Sequence, residues 1–190
     1  MDTNDLNGLR VAVLATDGFE ESELTVPVKA LRDCGARVDI ISIKKGKLQA
    51  FRHHDKSIVV DATRDLNEAR PDDYGALLLP GGALNADRLR VEGSAQKFAQ
   101  AVQQAGKPLA VICHGSWLLV SAGLVKGRRL AAYHTIQDDI RNAGGEWFDE
   151  KVVVDGAWVS SRQPGDLPDF NREMIRVFSD YLKRKASAAA

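Results

Sequence analysis

The sequence predicts a three-layer α/β sandwich built on a mostly parallel sheet. Two observations carry that prediction. Short apolar runs that read as strands alternate along the chain with segments of helical periodicity. The strand runs themselves, such as "YGALLLPGG" and "KPLAVICHG", are apolar at consecutive positions, the pattern of strands covered on both faces. A chain of 190 residues suffices for one such domain, and no repeat or linker divides it. The expected domain is 1–190, with 1–8 and 186–190 as flexible tails.

The elements follow in order. "LRVAVLA" (9–15) is a buried strand that ends at the turn "TDG". In "EESELTVPVKALRDCG", Leu24, Val28 and Leu31 share a helical face, Pro27 interrupts it, and Gly35 closes it. "ARVDIISI" is a second strand, "KKGK" a turn, and "SIVVDA" a third, peripheral strand. "YGALLLPGG" (74–82) runs straight into Pro-Gly-Gly, and "SAQKFAQAVQQAG" is a helix ending at Gly106. "KPLAVICHG" is the next strand and "SWLLVSAG" the helix behind it; "GRRLAAYH" and "DDIRNAGG" repeat that order. "KVVVDGAWVSS" reads as a hairpin turning at Asp155-Gly156. The last helix starts near Asp166, its expected cap, and aligns Phe170, Met174, Val177, Phe178 and Tyr181 in one stripe.

Charge and composition exclude several classes of function. Lysine and arginine total 26 and aspartate and glutamate 26, so no overall field draws the chain to nucleic acid or to an anionic membrane. No run reaches the roughly 18 apolar residues of a spanning helix. The start, "MDTNDLNGLR", is polar and acidic, unlike a signal peptide. Two cysteines make no disulfide framework, so a cytoplasmic protein with both thiols reduced is expected. Cys34 reads as packing, His53 and His54 as an exposed loop, and no zinc spacing occurs, so no metal or cofactor is called for. His134, Asp138 and Arg162 are at most rim groups, with ion pairing the expected role of the latter two.

Ligands of open α/β sheets bind beyond the carboxyl ends of the strands. Three polar segments fall there: "TDGFEE", "PGGALNAD" and "CHGS". Cys113 to Ser116 form a strand-to-helix turn of the nucleophile-elbow kind, with Val111 where such elbows carry a leading glycine. Helix amides and the helix dipole near the sulfur favour thiolate, the nucleophilic form. Gly81 and Gly82 can bring backbone N–H groups close to a ligand, and Glu20 is a carboxylate at the mouth of the first strand. Side chains adjacent on a strand point to opposite faces, so His114 need not touch the Cys113 sulfur; Glu20 is then the alternative proton partner.

These residues carry a resemblance. "DGFEESEL", "LLLPGG", "ICHG" with "LLVSAGLVKGRR", and "DDIRNAGGEWFDEKVVVDGAWVSSRQPGDLPDF" are similar to the PfpI-type intracellular cysteine proteases and protein deglycases. That family lies in the class I glutamine-amidotransferase-like superfamily, beside the parkinsonism-associated deglycase. The resemblance covers about residues 9–183 and implies a flavodoxin-like sandwich with an elbow cysteine. It implies Cys113 as nucleophile, His114 as its neighbouring histidine, and Glu20 as the carboxylate bonded to the sulfur. The amides of Gly82 and His114 would form the oxyanion hole. Asp87 corresponds to an acid that a neighbouring subunit supplies, which makes a homodimer or higher oligomer part of the expected site. In that position this chain has Asp for Glu, in a loop one residue longer.

The implied function is a cytosolic, stress-response cysteine hydrolase acting on peptides or on dicarbonyl adducts of proteins, nucleotides or small amines. The alternative is a redox sensor whose Cys113 is reversibly oxidised and which hydrolyses little.

Overall fold

The computed structural model describes residues 5–188, so residues 1–4 and 189–190 of the expected tails lie outside the described part. The chain runs through β1 (Arg10–Leu14), β2 (Phe19–Glu20), α1 (Glu21–Asp33), β3 (Arg37–Ser42), β4 (Gly46–Arg52), β5 (Asp55–Ala62) and β6 (Arg64–Asp65). It continues through β7 (Ala76–Leu79), α2 (Ala83–Arg90), α3 (Gly93–Gln104), β8 (Leu109–Ile112), α4 (Ser116–Ser121), β9 (Arg129–Leu130) and α5 (Gln137–Asn142). β10 (Glu146–Trp147), β11 (Val152–Asp155), β12 (Trp158–Ser161) and α6 (Leu167–Ala188) complete it.

Seven strands form the central sheet in the order β11-β12-β8-β7-β1-β3-β6. Every pairing in it is parallel except β11 with β12. Successive residues of a strand face opposite sides, and the core divides accordingly. Val11 and Val13 pack with Leu24, Val28 and Leu31 of α1 and with Phe170, Met174 and Phe178 of α6. Ala12 and Leu14 pack on the other side with Phe98 and Val102 of α3, Leu118 and Leu119 of α4 and Ile140 of α5. The unbroken apolar runs of β1, β7 and β8 are thus the signature of a sheet buried on both faces.

The chain leaves β1 toward β3 and later returns to β1's other side as β7. The order reverses there, and a crevice opens at the carboxyl ends of the strands. The segments after β1, β7, β8 and β12 all end at that edge.

Three elements differ from expectation. "SIVVDA" is not a strand of the main sheet: β5 pairs with β4 in a separate antiparallel hairpin that extends β2. β4 begins within the predicted turn, at Gly46, and its mixed sequence "GKLQAFR" hides it because only Leu48 and Ala50 are buried. Asp166 does not stand free as a cap. It lies in a 3-10 turn, buried, with Arg162 donating to both its oxygens at 2.9 and 3.0 Å. Leu6, inside the expected N-terminal tail, is fully buried, and its N–H donates to the Cys34 carbonyl at 2.8 Å.

Candidate active site

β8 delivers Cys113 to the sheet edge in an unusual conformation. Its φ is +60°, and among the described residues only His53, at +56°, is another non-glycine in the left-handed region. A residue with a Cβ pays steric energy there, so the turn is held by its surroundings. Gly115 allows this, because a Cβ on it would lie 2.7 Å from the Leu79 carbonyl and 3.0 Å from that of Pro80. The turn also answers the question of adjacency. The left-handed residue followed by a 3-10 turn (Cys113–Gly115) swings both side chains the same way, and the Cys113 Sγ stands 3.2 Å from the His114 Nδ1.

The carboxylate at the sulfur is Glu23, not Glu20. Glu20 stands just ahead of α1 without a capping side-chain bond, and its Oε2 accepts the backbone N–H of His53 at 2.9 Å. Glu23 lies in the first turn of α1 on the same buried stripe as Pro27, and is fully buried. Neither of its oxygens has a hydrogen-bond partner of full geometry, while the Cys113 thiol and the Gly81 N–H are near enough to influence its ionisation. The missed signal was a carboxylate on the apolar face of an amphipathic helix, where it has no solvent to meet.

Burial dominates the ionisation of both partners. It raises the Glu23 carboxyl from 4.5 to about 8; contact with the thiol opposes the rise, and the Glu20 charge adds to it. Burial also pushes the Cys113 thiol up, followed by the Glu23 charge, while the N–H groups of His114 and Gly82 pull it down. Glu23's part of that push exists only while Glu23 is ionised. Near neutrality a carboxyl with a pKa of about 8 keeps its proton, and a neutral carboxyl donates to sulfur. Glu23 and Cys113 therefore titrate as one unit, and ionising either member disfavours ionising the other.

Gly82 and His114 present backbone N–H groups toward the sulfur. Gly82 has φ +86°, and a Cβ on it would lie 2.6 Å from the Glu20 nitrogen and 2.7 Å from the Phe19 Cα. Glycine is required there by both the conformation and the space. Buried Asn85, which sequence reading passed over, fixes this loop. It accepts the Thr16 N–H at 2.8 Å and donates to the Pro80 and Gly81 carbonyls at 3.1 and 3.0 Å. The helix after the elbow has only six residues, so these two amides, rather than a long helix dipole, face the thiol.

A cleft of about 510 Å³ opens over the sulfur, lined by Glu20, Glu23, Gly82, Cys113, His114 and Tyr133, with His53 and His54 from the β4–β5 hairpin and Gln163 to Gly165 after β12. The two hairpin histidines, exposed at the β4–β5 turn as expected, also form one lip of the site. Burial lowers the His114 pKa from its ordinary value, and His134 lowers it further, which favours the neutral ring. Its ring packs against Tyr133 and Trp117, at centroid distances of 4.8 and 5.2 Å. Asp87 lies on the exposed face of α2 and does not line the cleft of its own chain. Arg162 is structural, bonded to Asp149 and Asp166. Asp138 forms a surface pair with Arg141. Among the described residues no cluster of three or more His, Cys, Asp or Glu could hold a metal ion, and no helix is long and apolar enough to cross a membrane.

Residues 9–177 match the DJ-1/PfpI family. The chain belongs to that family. Similar members include the protein named Deglycase PfpI from Pyrococcus furiosus, 43% identical over 89% of this chain and 99% of that one. Protein/nucleic acid deglycase 2 from Escherichia coli is 41% identical over 88% of this chain and 96% of its own. The structure of Schizosaccharomyces pombe DJ-1 superposes with a TM-score of 0.79, covering 93% of this chain and 98% of the other at 19% identity, which shows the shared fold. This DJ-1/PfpI chain carries a cysteine, Cys113, at the strand-to-helix turn of a flavodoxin-like sheet.

Proposed function

We propose that the protein is a cysteine-dependent deglycase, which releases amines from their adducts with reactive dicarbonyls. One observation carries the reading: the Cys113 sulfur sits in an open cleft with an imidazole nitrogen, the His114 Nδ1, 3.2 Å away. Two backbone amides and a carboxyl that is protonated near neutrality face the same sulfur. The deglycase names of two relatives more than 40% identical support the substrate class.

The chemistry follows from the geometry. His114 Nδ1 takes the thiol proton as Sγ adds to a carbonyl carbon of the substrate. The carbonyl electron pair moves to oxygen, where the N–H groups of Gly82 and His114 stabilise it; their loss would slow such a step by about a hundredfold or more. The amine sits on the carbinol carbon beside the attacked one: that carbon's hydroxyl oxygen closes to C=O as the C–N bond breaks, the leaving nitrogen takes the proton held by His114, and His114 takes the carbinol proton. The oxyanion then re-forms its carbonyl and expels Sγ, which takes that proton back, so that amine and free dicarbonyl leave and the thiol is restored. Glu23 donates a hydrogen bond to sulfur whenever sulfur carries charge.

The test is release of free amine from methylglyoxal-treated N-acetylarginine and N-acetyllysine, with an unmodified peptide as a second substrate. Wild type should release amine from the adducts, and Cys113→Ala should not, while keeping the wild-type circular dichroism. Turnover retained in folded Cys113→Ala would end this reading. Cleavage of the peptide alone would turn it into a peptidase.

A further inference from the structure

The two nitrogens of the His114 ring face different groups. Nδ1 faces the thiol, and Nε2 lies 3.3 Å from the Thr135 Oγ1. In a nucleophile–imidazole couple the partner of the far nitrogen decides which tautomer is present and where the ring points. A hydroxyl of the same chain holds that place. Within the described chain, burial and then His134 lower the His114 pKa.

Thr135 is held by backbone rather than by burial of its own side chain. It lies in the 3-10 turn His134–Ile136, whose Ile136 is fully buried and donates its N–H to the Tyr133 carbonyl at 3.1 Å. The Tyr133 N–H reaches back to the Cys113 carbonyl at 3.4 Å. The Thr135 turn and the nucleophile turn are thereby joined, and the Tyr133 ring lies against the His114 ring between them. Trp117, on the imidazole's other flank, is fixed by its indole N–H donating to Asp139 at 3.2 Å.

We propose that Thr135 is the positioning residue of this site: its hydroxyl accepts the Nε2 hydrogen of His114 and keeps the unprotonated Nδ1 directed at the thiol. The proposal rests on reading Cys113 as nucleophile and His114 as base. A hydroxyl accepts from Nε2 both in the neutral ring and in the imidazolium formed when the thiol proton arrives, so it need not rearrange during transfer. Being uncharged, it gives the imidazolium none of the stabilisation that an acid would. The resting pair is accordingly thiol and neutral imidazole, and His114 acts as a base during attack rather than as half of an ion pair. The other charged or titratable groups facing this centre are Glu23 from α1, Glu20 at the mouth, Tyr133 and His134 beside the ring, and His53 and His54 from the hairpin. An acid from a second chain, such as its Asp87, would have to take the nitrogen that Thr135 already occupies.

The experiment compares Thr135→Val, Thr135→Ser, Thr135→Asp and Asp87→Asn in the full-length protein, with Cys113→Ala as control. Thr135 is exposed, so these variants do not disturb the core. One readout is kcat and KM for amine release. The second is the rate of Cys113 alkylation by iodoacetamide against pH, which requires no turnover. Thr135→Val should lower kcat by on the order of tenfold, with KM changed less than about twofold, and Thr135→Ser should retain wild-type kcat. Thr135→Asp should move the alkylation profile about one unit toward lower pH, because a carboxylate favours the imidazolium–thiolate pair. If Thr135→Val matches wild type in both kcat and alkylation profile while Cys113→Ala is inactive, the Thr135 proposal is wrong and the deglycase reading stands. Loss of kcat in Asp87→Asn with none in Thr135→Val would overturn it in favour of an acid from the neighbouring chain. If Cys113→Ala stays active, the deglycase reading falls, and the alkylation profile still decides the role of Thr135.

Discussion

Glu23 and Cys113 meet over Gly81, where one added methyl group would collide with the Glu23 carboxylate and stand 2.6 Å from the Cys113 Cβ. The glycine leaves the space in which carboxyl and thiol share their proton, and it lies on the strand end next to both.

Gly81→Ala therefore overpacks the site. The Ile112 carbonyl, 3.0 Å from the added atom, is backbone and cannot swing aside. The variant should lose about 1–3 kcal/mol in urea unfolding. Its Cys113 should alkylate several-fold more slowly at pH 7, because Glu23 is displaced from the sulfur. Wild-type stability with wild-type alkylation would contradict the packing described.

Glu23 ties stability to pH with a defined sign. Its pKa is raised from 4.5 to about 8 on folding, so between these values the folded state binds more protons than the unfolded one. The stabilisation is complete below about 4.5 and is lost as pH rises through about 8. Glu23→Gln removes this loss. In a Cys113→Ala background, to silence the thiol, its Tm relative to the Glu23 parent should climb steadily from pH 5 to pH 8.5. A difference that stays flat over that range would show that Glu23 is not a buried, protonated acid.

The left-handed backbone at Cys113 makes an unusual comparison informative. Glycine accepts φ +60° without the cost that a Cβ brings. Cys113→Gly should thus equal or exceed Cys113→Ala in stability, by up to about 1 kcal/mol, although it buries less surface. Thermal unfolding of the two inactive variants measures this directly, and a clearly weaker glycine variant would argue against strain at the elbow.

The wall of the cleft at Gln163 to Gly165 hangs on the Arg162–Asp166 pair, whose aspartate side chain is 4% exposed. Arg162→Met would leave that carboxylate buried without its partner, at a cost of about 3–5 kcal/mol. The companion variant Arg162→Met with Asp166→Leu should recover most of the stability in a double-mutant cycle. Its KM for the amine adduct should stay raised if the wall no longer holds its shape.

By itself the sequence determined the architecture and the place of the elbow cysteine. Unbroken apolar strands between helical stripes can bury both faces only in a layered sandwich, and that topology gathers the segments after β1, β7 and β8 at one edge. Cys113, His114 and Gly82 follow from their places in those segments. Tertiary structure alone decided which acid meets the thiol. Glu20 and Glu23 are three residues apart in one acidic stretch, and the rotation of α1 against the sheet sends the first to the mouth and the second beneath the sulfur. The positive φ that turns His114 toward its neighbour left no mark in residue type, because cysteine gives no sign of left-handed backbone. Thr135 and the His53–His54 lip came to the site through long-range contacts, between turns 21 residues apart and from a hairpin whose polar strands carry little periodic signal. Local pattern records which residues are buried; which of them touch depends on packing between distant parts of the chain.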